Sequence, residues 1–150
     1  MPTASLSHLF TADHRACDGL FADAEAAARA DNWTACAEAA AAFRGAMERH
    51  FRVEEEVLFP AFEAAGPGPV GPTQVMRHEH AQMRRLLEQW QGHADARRRA
   101  PFLGVCETLL VFMQQHNLKE ENVLYPMCDA VLRPRAAELA AAVGEVLHPQ

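Results

Sequence analysis

A chain of 150 residues, 49% of them hydrophobic and 23% charged, has enough sequence to bury one substantial core. Its formal net charge of −6 argues against nucleic acid as a partner, and its one dense basic run, Arg97-Arg98-Arg99, reads as a solvated turn. No apolar run reaches the roughly 18 residues of a membrane span and no signal-peptide pattern opens the chain, so a cytoplasmic location without membrane contact is expected. In that compartment Cys17, Cys36, Cys106 and Cys128, which form no C-x-x-C pair, are expected as reduced thiols.

Ala, Leu, Met, Glu and Arg dominate and β-branched residues are few, which favours helix. The first helical stripe runs Leu6, Phe10, His14, Cys17, Phe21 and breaks at Ala30-Asp31-Asn32. The second runs Phe43, Met47, His50, Glu54, Leu58 toward Pro60, and the Gly- and Pro-rich stretch from Gly66 to Pro72 follows. The third runs Met76, His80, Met83, Leu87, Trp90 and breaks between Gly92 and Ala100. The fourth runs Leu109, Met113, His116, Glu120, Leu124 toward Pro126. Pro134 opens a shorter amphipathic helix. The expected fold is all-α: a single domain over residues 1–150, an up-down-up-down four-helix bundle over about 5–128 and a fifth helix over about 134–147. That last helix is expected to pack on the bundle or on a second subunit, which leaves a homodimer open.

Two stretches are copies of one another. His50-Phe51-Arg52-Val53-Glu54-Glu55-Glu56-Val57-Leu58-Phe59-Pro60 aligns with His116-Asn117-Leu118-Lys119-Glu120-Glu121-Asn122-Val123-Leu124-Tyr125-Pro126 at an offset of 66 residues. The same offset carries Asp13-His14 onto Glu79-His80, and 36 positions separate the two histidines in each half. Residues four apart share a helix face, so His50 points with Glu54 and His116 with Glu120, each inside the apolar stripe. Buried carboxylates and imidazoles on a core stripe are costly unless something takes their charge and lone pairs. His14, His50, Glu54, His80, His116 and Glu120 are therefore the candidate ligands of two metal ions. With both glutamates and an oxo or hydroxo group bridging, about one position stays open on each six-coordinate ion for a small exogenous ligand. Imidazole and carboxylate without thiolate suit iron, manganese or zinc. A histidine-rich set favours Fe(II) more than a carboxylate-rich one does, which points toward reversible binding or sensing.

The offset also sorts the neighbours. His78 has Ala12 as its counterpart and is expected to be exposed, as are the unmatched His8, His93 and His148. Glu55 and Glu121 lie about 100° round the helix from the candidate ligands and are expected behind them or on the surface. Asp13 and Glu79 are either placed to accept a hydrogen bond from a ligand histidine on a neighbouring helix or are plain solvated acids. Phe10, Cys17, Met47, Leu58, Met76, Met83, Met113 and Leu124 are expected to line the site and keep it dry. Tyr125 matches Phe59, so its ring is expected to pack and its hydroxyl to be optional.

Over residues 6–128 these motifs resemble the hemerythrin-like, or HHE cation-binding, family. The resemblance implies a four-helix bundle holding a non-haem di-iron centre on His14, His50, Glu54, His80, His116 and Glu120, with O₂ or NO as the small ligand. The chain departs from the oxygen carriers of that family: the positions one turn from His80 are Met76 and Arg84, and Glu120 stands four residues after His116. The four-histidine, two-glutamate set is more similar to bacterial di-iron proteins of nitrosative stress and iron–sulfur repair. The functions implied are binding or sensing of O₂ or NO, or iron handling under such stress. A di-iron peroxidase, oxidase or NO-reducing enzyme and a zinc-fastened structural bundle are the alternatives.

Overall fold

The computed structural model describes residues 5–66 and 71–148, and all of its regular structure is helical. Helix α1 spans Leu6–Arg29, α2 Trp33–Val53, α3 Phe59–Ala65, α4 Gly71–Asp95, α5 Arg99–Lys119, α6 Tyr125–Val131 and α7 Ala136–Leu147. A five-residue π-helical turn, Glu54–Leu58, joins α2 to α3, and a second, Glu120–Leu124, joins α5 to α6. The long units α1, α2–α3, α4 and α5–α6 are the four members of the bundle.

Local chemistry sets the ends. Ser5 caps α1 by accepting from the His8 amide, and Asn32 caps α2 by accepting from the Ala35 amide. Asp31 and Arg97 adopt φ of 56° and 58°, the left-handed geometry that reverses the chain after α1 and after α4. Arg97 and Arg98 are exposed in the second of these turns, as expected, and Arg99 starts α5 while pairing with Asp31 at 3.4 Å. The break expected from Gly66 to Pro72 lies partly outside the described residues; Gly66 closes α3 and Gly71 opens α4.

The prolines do not end their helices. Pro60 and Pro126 each follow a π turn, in which the Phe59 amide donates to the Glu54 carbonyl and the Tyr125 amide to the Glu120 carbonyl, five residues back. A widened turn removes the clash between a proline ring and the carbonyl behind it, so the helix resumes. The carbonyl of Glu55, which a proline cannot satisfy, accepts instead from Arg77 at 3.3 Å.

The core has two parts. Around Trp90, Phe21 and Phe102 stack at 18° and 17° and Phe43 meets it edge-on, with Cys36 and Cys106 buried beside them. At the other end Leu6, Phe10, Leu58, Phe62 and Leu124 pack with Leu139, Val143 and Leu147 of α7. Helix α7 thus lies on the bundle against α1 and α2. Between the two parts sits a layer of buried polar side chains. No helix is long and apolar enough to cross a membrane among the described residues.

Candidate metal centre

The six side chains singled out by the repeat come together in that layer. His14 from α1, His50 from α2, His80 from α4 and His116 from α5 are each no more than 4% exposed, and Glu54 and Glu120, at the start of the two π turns, are 0% exposed. All four histidines direct Nε2 inward. Glu54 Oε1 lies 3.1 Å from His80 Nε2 and 3.4 Å from His50 Nε2. Glu120 Oε1 lies 3.1 Å from His14 Nε2 and 3.2 Å from His116 Nε2. Each glutamate therefore touches one histidine of each half.

The outward nitrogens are held as a set. His50 Nδ1 bonds Asp13 at 2.7 Å and His116 Nδ1 bonds Glu79 at 2.8 Å. His80 Nδ1 bonds Glu55 at 2.6 Å and His14 Nδ1 bonds Glu121 at 2.8 Å. Four carboxylates thus fix the four imidazoles with Nε2 aimed at the centre, the arrangement that orients metal-bound histidines and strengthens them as donors. Asp13 and Glu79 act as the repeat suggests, and Glu55 and Glu121 stand behind the cluster.

Charge accounts for the pKa directions. Burial would strip the proton from His50, but Glu54, Asp13 and Glu120 outweigh it and hold its pKa well above the ordinary value. Burial opposes the charge of His80 as well, yet the carboxylates of Glu54 and Glu55 beside its two ring nitrogens lift its pKa to about 9. Glu54 is pushed up by burial and pulled further down by His50, Glu120 and His80, ending well below a normal carboxylate.

Whether a metal would fit is answered by the atoms left over. Glu54 Oε1, His80 Nε2, His116 Nε2 and Glu120 Oε2 are buried and make no hydrogen bond. Such orphaned atoms are rare in a folded protein and call for an explanation, of which a bound ion is one. One ligand atom from each of Glu54, His80, His116 and Glu120 falls within 4.8 Å of the others, and His14, His50 and Glu120 form a second such group. These adjoining groups of oxygen and nitrogen donors, wrapped in apolar side chains, suit transition-metal binding. The predicted liners, from Phe10 to Leu124, are all buried.

Tyr125 corrects the sequence reading. Its hydroxyl is not optional: Oη donates to Glu54 Oε2 at 2.7 Å or Glu120 Oε1 at 3.0 Å and lies 3.2 Å from His14 Nε2 and 3.3 Å from His50 Nε2. In a regular α-helix a residue five positions on sits about 140° away; the π turn brings Tyr125 back over Glu120. Burial, Glu120 and Glu54 together keep the phenol protonated, far above its usual pKa. His93, expected in solvent, is half-buried, whereas His8, His78 and His148 are exposed. A groove of about 610 Å³ between α1 and α5 is lined by Asp18, Met113 and Glu121, the last of which holds His14.

Among curated proteins and among solved structures, none matches the chain. The model of the hemerythrin HHE cation-binding domain matches residues 5–128, the segment that carries all six inward-facing side chains and the four carboxylates behind them. The chain belongs to the hemerythrin HHE cation-binding family.

Proposed function

We propose that this chain holds two iron ions and uses them to bind or sense O₂ or NO. His80 and His116 with Glu54 and Glu120 would hold one ion, and His14 and His50 with Glu120 the other, with the two glutamates shared between positions. The observation that carries this reading is the set of four buried, unpartnered donor atoms within a paired histidine–carboxylate cluster. Bound iron supplies a redox-active centre with affinity for a diatomic ligand. The protein's own part is positioning. Asp13, Glu55, Glu79 and Glu121 keep each imidazole in the tautomer that leaves Nε2 free. Phe10, Met76, Leu58 and Leu124 exclude water from the cluster. The groove beside Glu121 would serve as the approach for a small molecule. Four buried free thiols suit a cytoplasmic setting.

The test is to load the chain with Fe(II) in the absence of air, measure iron per chain, then admit O₂ or NO and follow the visible spectrum. Bands that develop and then fade when the gas is removed support binding or sensing. Sustained turnover of peroxide or NO moves the chain to the enzymatic reading. A redox-silent metal with no response to either gas overturns the proposal in favour of a zinc-fastened bundle.

A further inference from the structure

The two halves of the cluster are related by the repeat, yet what stands behind them is not. Glu55, which holds His80, accepts two bonds from Arg84, at 3.0 and 3.1 Å. Glu79, which holds His116, pairs with Lys119. The repeat places Asp18 where Arg84 would be and Val53 where Lys119 would be. Among the described residues, Glu121 and Asp13 salt-bridge only to the histidines they hold, His14 and His50. Arg15 shares the groove with Glu121 and Asp18 and makes no salt bridge to either.

The inner side is unequal in the same sense. Phe59 and Tyr125 occupy matched positions, and each lies against a histidine, His80 at 5.8 Å and His14 at 5.7 Å. Only Tyr125 carries a hydroxyl. The group formed by Glu54, His80, His116 and Glu120 has four donors, and the group formed by His14, His50 and Glu120 has three. Ligands at right angles around a metal about 2.1 Å away lie roughly 3.0 Å apart. Tyr125 Oη stands 2.7 Å from Glu54 Oε2, 3.0 Å from Glu120 Oε1, 3.2 Å from His14 Nε2 and 3.3 Å from His50 Nε2, the spacing of a further ligand at that position.

We infer that the two metal positions are built to differ: Tyr125 supplies a ligand to the iron held by His14 and His50, and that position keeps its ion trivalent while the His80–His116 position keeps its ion divalent. This rests on the proposal that the chain holds two irons. A carboxylate behind a ligand histidine makes the imidazole a stronger donor, and a cation on that carboxylate takes part of the effect away. His14 and His50 are therefore the more strongly donating pair, and a phenol oxygen adds a hard anionic donor on the same side. With both ions loaded as Fe(II), a one-electron oxidant such as ferricyanide takes one electron from the ion at His14 and His50 and becomes ferrocyanide. The Tyr125 proton leaves to solvent as the iron–oxygen bond forms.

Tyr125 is the only tyrosine in the chain, which permits a test on the unaltered protein. The full chain, loaded with Fe(II), is treated without air with one ferricyanide per iron pair. Mössbauer spectra should resolve one ferric and one ferrous component of equal area. Resonance Raman spectra excited in the resulting visible band should show tyrosine ring modes that shift when the tyrosine is ring-deuterated. Tyr125→Phe should lose that band while retaining two irons per chain. Asp18→Arg, at an exposed position, should shift the first reduction potential upward by placing a cation behind Glu121. Two irons per chain with a single averaged iron signal, with no ring modes, or with an unmoved potential in Asp18→Arg would overturn the inference and leave the di-iron proposal standing. Fewer than two irons in the unaltered protein would overturn both.

Discussion

Asp13 and His50 meet across the interface of α1 and α2 through a 2.7 Å hydrogen bond from Nδ1 to the carboxylate, and Asp13 is itself next in sequence to His14. One residue of α1 thus aims a ligand candidate on α2 while its neighbour supplies another. Asp13→Asn keeps the size of the side chain and removes its charge. Metal affinity is expected to fall about 10- to 100-fold, the usual cost of losing such a support, with little change in helical content. Competition for iron against a chelator of known strength reads the first quantity and circular dichroism the second. An unchanged affinity would mean that Asp13 merely packs.

Glu54 and Glu120 each reach histidines of both halves, so under the proposed di-iron arrangement neither position would be intact without them. Glu54→Ala and Glu120→Ala are each expected to bring metal content below two per chain. Elemental analysis after loading and desalting checks this, and full occupancy in both variants would refute the assignment of these carboxylates.

The metal-free protein should be most stable in mildly acidic solution. His80 has its pKa raised from 6.5 to about 9, so its contribution is complete below 6.5 and is lost as pH rises through about 9. Glu55 has its pKa lowered from 4.5 to about 2, so its contribution is complete above 4.5 and is lost as pH falls through about 2. Between 4.5 and 6.5 both operate. Bound metal replaces the imidazolium protons, so loading should release protons and carry the stable range into alkaline solution. Thermal melts across pH, with and without metal, test this; an apo melting temperature that climbs steadily from pH 6 to 9 would contradict it.

Leu109 is fully buried in the half of the core built around Trp90, whereas the layer of buried histidines and glutamates lies beyond it. Leu109→Ala should cost about 2–5 kcal/mol of stability through the cavity it leaves, with iron stoichiometry unchanged in the folded fraction. Urea denaturation of the loaded protein, followed by iron analysis, separates the two effects. Loss of iron at full helicity would show that the two parts of the core are coupled.

The bundle and the six inward-facing residues were legible because two independent periods coincide. The helical repeat puts His50 over Glu54 and His116 over Glu120, and the 66-residue repeat singles out His14 and His80 while leaving His78 unmatched. Tyr125 was missed because angles counted along a regular helix fail across a π turn, and no residue in Glu120–Leu124 announces that turn. Its only advance signal is a polar group added at a position where the other half carries Phe59. The same assumption stopped the helices at Pro60 and Pro126, although a widened turn lets both continue. Arg84 and Lys119 were invisible as supports because their partners, Glu55 and Glu79, lie on other helices.

The way the four outer carboxylates are shared has a consequence for assembly. Asp13 and Glu79 each serve a histidine of their own half, but Glu55 reaches across to His80 and Glu121 across to His14. Reciprocal crossing of this kind is what a twofold axis produces when one surface meets its own copy. A polypeptide carrying the motif once could close every one of these bonds by pairing with an identical chain, but it would have to make both sides alike. Joining the copies end to end frees each to change alone, which is the condition for Asp18 to stand opposite Arg84 and Tyr125 opposite Phe59.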